Sequence, residues 1–274
     1  MVLDCGFVIE VIDKGSCSEA HPVPLLFVHG GWHGAWCWDD HFLDFFADAG
    51  YRAVALSLRG HGTSPTTKPL PSVSIADYLE DLGSVADDLG RRHPVLIGHS
   101  LGGFVIQRYL EERSAPAAVL VGSVPPQGVL RLALRVWRRR PSMTMEAWAD
   151  RTLLKFLATP ALTREYLFCA DTPEAIVESC MQRAGAESIR AAMADPMRRR
   201  VKTRRVSTPI LVLGAVHDGF VSVRDVRATA RAYETEPEFF DMGHNMMLEP
   251  GWPDVAERIH AWLETRDLVG SGRS

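Results

Sequence analysis

The sequence predicts an α/β fold, a doubly wound and mainly parallel sheet with an inserted helical cap. Three observations predict it. Short, continuous apolar runs at 25–28, 95–97 and 210–213 each end at or next to glycine or histidine. Buried parallel strands read this way because both of their faces are covered. Segments with apolar residues three and four apart separate these runs, which gives the strand–helix alternation of a parallel sheet. The alternation stops over 124–206 and then resumes, so the chain divides into a first core part (1–123), an inserted helical cap (124–206) and a second core part (207–274).

In chain order, weak alternation at 7–12 suggests a first strand. The run 25–28 is a second strand, ending in His29-Gly30-Gly31-Trp32. Trp38, Phe42, Phe45 and Phe46 give helical spacing over 36–49, closed by Gly50. A strand at 51–58 leads into R-G-H-G-T-S at 59–64. Ser74 caps a helix with Ile75, Tyr78, Leu82 and Val85 on one face. The strand 95–97, the turn G-H-S-L-G-G at 98–103 and a helix beginning at Phe104 follow, then a strand at 117–121. Helices are expected at 131–139, 144–157, 173–184 and 187–193. A strand at 209–214, a helix at 223–232, a strand at 238–242 and a helix at 255–265 complete the chain, with a frayed tail beyond.

The turn at 98–103 matches G-x-S-x-G between a strand and a helix, the setting in which that pattern has chemical meaning. Gly98 and Gly102 permit a very tight turn that leaves the Ser100 hydroxyl at its apex, facing the N-terminus of the next helix. A serine hydroxyl is a weak nucleophile and needs a base, which in turn needs an orienting partner. Of the ten histidines, His244 is the candidate base. It lies in a loop after the last strand, beside Gly243. Asp218, also just after a strand, is the candidate acid, ahead of Asp225 and Asp241. The order Ser100, Asp218, His244 is nucleophile, acid, base. The N–H groups of Leu101 and Gly31 are the candidate oxyanion donors, with Trp32 the second choice for the latter. The other histidines, His61 among them, are read as structural. All these loops follow strand C-termini, where such sheets bind ligands.

Composition narrows the field. The net charge of −4 over 274 residues gives no reason to expect a nucleic-acid partner. Cys5, Cys17, Cys37, Cys169 and Cys180 are scattered, with no C-x-x-C or Cys/His cluster, so neither a disulfide framework nor a metal site is suggested, and no cofactor is called for. No transmembrane segment or secretory leader is legible, which makes a cytoplasmic location the expectation. Charge is uneven: 124–206 holds 16 Lys/Arg and 8 Asp/Glu, the remainder 14 and 26. The arginine clusters at 138–140 and 198–200 fit a solvated, partly paired face or an attraction for anionic substrates or lipid headgroups.

Five motifs together resemble the α/β-hydrolase superfamily: H-G-G-W at 29–32, R-G-H-G-T-S at 59–64, G-H-S-L-G-G at 98–103, the turn at Asp218 and G-H-N-M at 243–246. The stretch HGGWHGAWCW is similar, more narrowly, to plant methylesterases and hydroxynitrile lyases of that superfamily. The lyases typically carry threonine at the position of Gly30 and lysine at that of Asn245, so both departures imply ester hydrolysis. Serine at position 100 sets the chain apart from the aspartate-dependent dehalogenases and epoxide hydrolases. The resemblance implies a cofactor-free serine esterase acting on a small-molecule ester, with 124–206 as the family's cap. Thioester, lactone or amide hydrolysis, C–C bond cleavage, and ligand binding without turnover are the alternatives.

Overall fold

A computed structural model describes residues 8–90, 92–266 and 268. Seven strands form one sheet: β1 (Val11–Lys14), β2 (Leu25–Val28), β3 (Ala53–Leu56), β4 (Val95–His99), β5 (Ala118–Val121), β6 (Ile210–Ala215) and β7 (Pro237–Phe240), in the order β1-β3-β2-β4-β5-β6-β7. Every pairing is parallel except that of β1 with β3. All residues of β2 to β6 are buried. Those of the two edge strands are mostly half-buried.

The helices are α1 (Trp36–Asp39), α2 (Phe42–Asp48), α3 (Ile75–Asp88), α4 (Ser100–Tyr109), α5 (Leu130–Arg139), α6 (Pro141–Ala149), α7 (Pro160–Leu167), α8 (Glu174–Arg183), α9 (Asp195–Arg198), α10 (Val223–Ala232) and α11 (Trp252–Glu264). Capping boxes start two of them. Ser74 accepts from the Asp77 N–H and Ser222 from the Asp225 N–H, and each aspartate reaches back to the cap. Between β5 and β6 no strand occurs among the described residues, only helices and short helical turns.

Several boundaries differ from the sequence reading. The expected strand at 7–12 is found at Val11–Lys14, as an edge whose Asp13 pairs with Arg52; residue 7, Cys5 and the C-terminal tail lie outside the described residues. The expected helix at 36–49 is two helices, broken at His41, whose ring stacks on Trp252 at 4.8 Å. The one at 144–157 ends at Ala149. Arg151 there takes a left-handed conformation (φ 52°), and a short turn, Leu154–Leu157, follows. Helix α7 carries no apolar period strong enough to predict it; Pro160 at its first position and Thr159 accepting from the Leu162 N–H start it. The helix expected at 187–193 begins later, at Ile189; before it, Glu187 and Ser188 are engaged in buried polar contacts with the Tyr78 hydroxyl and the Val73 carbonyl.

The crossing of β2, β4 and α4 fixes the centre of the molecule. A Cβ on Gly98 would lie 2.6 Å from Ile106 Cδ1 and 2.8 Å from Gly103 Cα, and one on Gly102 would run into the carbonyl oxygens of Val28 and His29. Only glycine lets α4 start this close to the sheet. Replacing Gly102 with alanine should therefore cost about 1–3 kcal/mol in a urea titration, since the obstructing atoms are backbone and cannot rotate away.

Candidate active site

The turn after β4 places Ser100 at φ 50°, a left-handed conformation that serine rarely adopts. The strain is held by the packing around Gly98 and Gly102, and it turns the hydroxyl away from the helix axis. At the second position of α4, the Leu101 N–H has no intrahelical partner.

Two other loops come to the same place. Past β6, the Asp218 carboxylate accepts from the backbone N–H groups of Phe220 and Val221, both at 2.7 Å, through Oδ1. Its Oδ2 lies 2.6 Å from His244 Nδ1. The other ring nitrogen of His244, Nε2, lies 2.9 Å from Ser100 Oγ. With Nδ1–H donating to the carboxylate, Nε2 is free to accept the serine proton. Both Asp218 and His244 are buried, with side chains 1% and 2% exposed. Asp225 instead caps α10 and pairs with Arg135. Asp241 lies just beyond β7, exposed, and pairs with His217.

The loop after β2 brings Gly31 and Trp32 against Ser100. Together with Leu101 they line a cavity of about 520 Å³. Its other walls come mainly from the helical segment, including Val136, Ala147, Leu153, Phe156 and Met193. Glu187 is the one charged side chain among the lining residues.

Buried polar chains hold these loops. His33 donates from Nδ1 to the Gly31 carbonyl at 2.6 Å and accepts at Nε2 from Asn245 Nδ2 at 3.1 Å, which joins the loop of Gly31 to the residue after His244. His99 donates from Nε2 to the His244 carbonyl at 3.0 Å. His29 donates from Nδ1 to the Gly30 carbonyl and accepts at Nε2 from the Leu58 N–H. Burial drives all three towards the neutral form: His33 is lowered to about 4, His29 and His99 well below the ordinary 6.5. Glu249 accepts from the N–H groups of Gly243 and Cys169 and from the Thr172 hydroxyl, tying the His244 loop to the helical segment.

Sequence reasoning missed Glu187. It accepts from the Tyr78 hydroxyl at 2.8 Å and the Ser188 N–H at 2.6 Å through Oε1, and Oε2 lies 3.2 Å from His61 Nε2. Burial lowers the His61 pKa, but the Glu187 charge and hydrogen bond more than offset this and the net shift is upward. The R-G-H-G-T-S loop also anchors through Arg59, which binds Asp81 at 2.7 Å and reaches Asp77. His61 thus holds its loop, as expected, through a carboxylate that no motif flags. Elsewhere His21, His260 and Glu264 bring three metal-type side chains together; none of them lines the cavity.

Comparison with known proteins gives the family. The model for the alpha/beta hydrolase family matches residues 25–257. The chain belongs to that family. Among curated relatives, a non-heme chloroperoxidase of Streptomyces lividans is 38% identical over 107 residues, 38% of each chain. Methylesterase 18 of Arabidopsis thaliana is 38% identical over 87 residues, 31% of each. Matches to the first of these relatives span little more than a third of their length. An esterase structure from Exiguobacterium antarcticum superposes with a TM-score of 0.75 at 17% identity, covering 97% of this chain and 98% of that one, a likeness of fold. No helix among the described residues is long and apolar enough to cross a membrane.

The buried histidines set a pH dependence. A histidine kept neutral in the fold but titrating near 6.5 when unfolded contributes stability that is full above that value and is lost as pH falls towards its folded pKa. Each such group adds a slope of up to about 1.4 kcal/mol per pH unit. Urea stability should therefore drop between pH 6.5 and 4. His33→Asn, which keeps a side-chain donor for Gly31, should make that drop shallower by close to one proton.

Proposed function

We propose that the protein is a cofactor-free serine hydrolase that cleaves carboxylic esters of small, largely apolar substrates. One observation carries the reading: a strained serine, a buried imidazole and a buried carboxylate in unbroken hydrogen-bond contact, at 2.9 and 2.6 Å, opening on an apolar cavity. The ester carbonyl approaches Ser100 Oγ. As Oγ bonds to carbon, His244 Nε2 takes the hydroxyl proton, and Asp218 stabilises the imidazolium. Charge develops on the carbonyl oxygen, where the N–H groups of Leu101 and Gly31 receive it. One such donor lowers the barrier by roughly 3–4 kcal/mol. Collapse expels the alcohol, which takes the proton from His244. Water then gives a proton to Nε2 as it attacks the acyl carbon, and the acid leaves with Ser100 restored.

The helical segment 124–206 serves as the cap over the cavity, and its apolar walls select an apolar acyl or alcohol portion. The Glu187 carboxylate offers a place for a substrate donor such as a hydroxyl. Lyase chemistry is disfavoured at Gly30, where a Cβ would lie 2.9 Å from Ser100 Cβ and 2.7 Å from His99 Nδ1. Asn245, too, spends its amide on His33 and Cys180 rather than on the cavity. A second reading comes from a relative named a bifunctional esterase/perhydrolase, of Acinetobacter calcoaceticus, 37% identical over 108 residues: the same acyl-enzyme would be attacked by hydrogen peroxide in place of water to give a peracid.

Ser100→Ala should abolish turnover of a p-nitrophenyl ester, a fall of at least about a thousandfold in kcat, with an unchanged circular dichroism spectrum. A variant that keeps most of its activity would remove Ser100 from this role. Assays of the parent chain with and without hydrogen peroxide separate hydrolysis from peracid formation.

A further inference from the structure

Eight large apolar side chains are exposed among the described residues, and six of them surround one feature. Leu130, Leu134, Trp137, Met145, Trp148 and Met197 all line the cavity that reaches Ser100, and all stand open to solvent. Two are tryptophans close to half exposed, at 48% and 47%. Apolar side chains scattered singly over a surface need no explanation, but a group gathered at one opening does.

Helix α5 carries the second observation. Leu130, Ala133, Leu134 and Trp137 fall at i, i+3, i+4 and i+7 and form a stripe along the cavity. Arg131, Arg135, Arg138 and Arg139 occupy the neighbouring face. With Arg224, Ser222 and Asp225 they line an adjoining groove, and Leu134 lines both. Arg135 is paired with Asp225 and Arg140 with Glu165. Arg131, Arg138, Arg139 and Arg224 have no carboxylate at ion-pair distance among the described residues. The basic excess of 124–206 is opposed by an acidic excess in the rest of the chain.

We propose that this face docks on an anionic lipid surface, with the apolar rim entering the interfacial region and the α5 arginines meeting the headgroups. A stripe of leucine and tryptophan beside a stripe of arginine is the pattern of a helix that lies in such an interface. Unpaired guanidinium groups complement anionic headgroups, and their long stems pack along apolar surface. The acidic remainder of the molecule is repelled by the same surface, so the complex has one orientation, with the cavity mouth against the lipid. Resting on the hydrolase reading, this names a substrate class: esters with an apolar chain that pass from a lipid layer into the cavity without crossing water.

The test is flotation of the full chain with phosphatidylcholine vesicles, with and without phosphatidylglycerol, together with tryptophan fluorescence. The expected result is binding to the mixed vesicles, a blue shift from Trp137 and Trp148, and release on raising the salt. The double variant Arg138→Glu/Arg139→Glu should bind roughly tenfold or more weakly, yet hydrolyse a soluble p-nitrophenyl ester as the parent does. Absence of binding to the mixed vesicles, equal binding by the double variant, or a solution dimer that shields both tryptophans overturns the proposal. Binding is read without turnover. Lost docking with retained hydrolysis therefore counts against the surface alone, and docking without hydrolysis counts against the catalytic reading alone.

Discussion

The structure depends on one close approach, that of the first turn of α4 to the ends of β2 and β4. Glycine at 98 and 102 removes the side chains that backbone atoms would otherwise strike. The serine between them is then held at a positive φ that it would not choose. Strain of this kind persists only where the surroundings over-determine it. Here they do, because β4 is bonded on both sides, to β2 and to β5, and every one of its residues is buried. The Ser100 hydroxyl is therefore placed by the core of the protein, whereas the groups it meets arrive on loops.

Those loops are disciplined by neutral histidines. Each of His29, His33 and His99 uses its ring to hold a backbone carbonyl of a site loop. Burial keeps them uncharged, so they can do this without a counter-ion in a place where an unpaired charge would be costly. His61 follows the opposite logic. It faces a carbonyl at one nitrogen and the Glu187 carboxylate at the other, and its pKa is raised. Four buried rings thus divide into three that position peptide groups and one that balances a buried acid. His244, a fifth buried ring, lies between the Asp218 carboxylate and the Ser100 hydroxyl.

Much of this was legible in the residues, for identifiable reasons. Strands β2, β4 and β6 are covered on both faces and so appear as unbroken apolar runs, while the half-buried edges β1 and β7 do not, and their observed bounds differ from those the sequence suggests. The break at His41 is hidden because the apolar period of α1 continues in phase into α2. Ser100, Asp218 and His244 could be named because glycine and chain order mark the turns that carry them. Glu187 could not. Its partners His61 and Tyr78 lie 126 and 109 residues away, and nothing local distinguishes it from the other acidic residues of the chain. The helical segment was legible as an interruption of the alternation, but the shape of the cavity it walls depends on packing between distant helices.

Whether Ser100, His244 and Asp218 act as one proton-passing unit is measured most directly by reaction with a fluorophosphonate, followed by peptide mass spectrometry. A single adduct per chain is expected, on Ser100, its formation slowed severely when His244 is replaced by alanine in a folded protein. An adduct on another residue, no adduct at all, or labelling of Ser100 that is indifferent to His244 would contradict it.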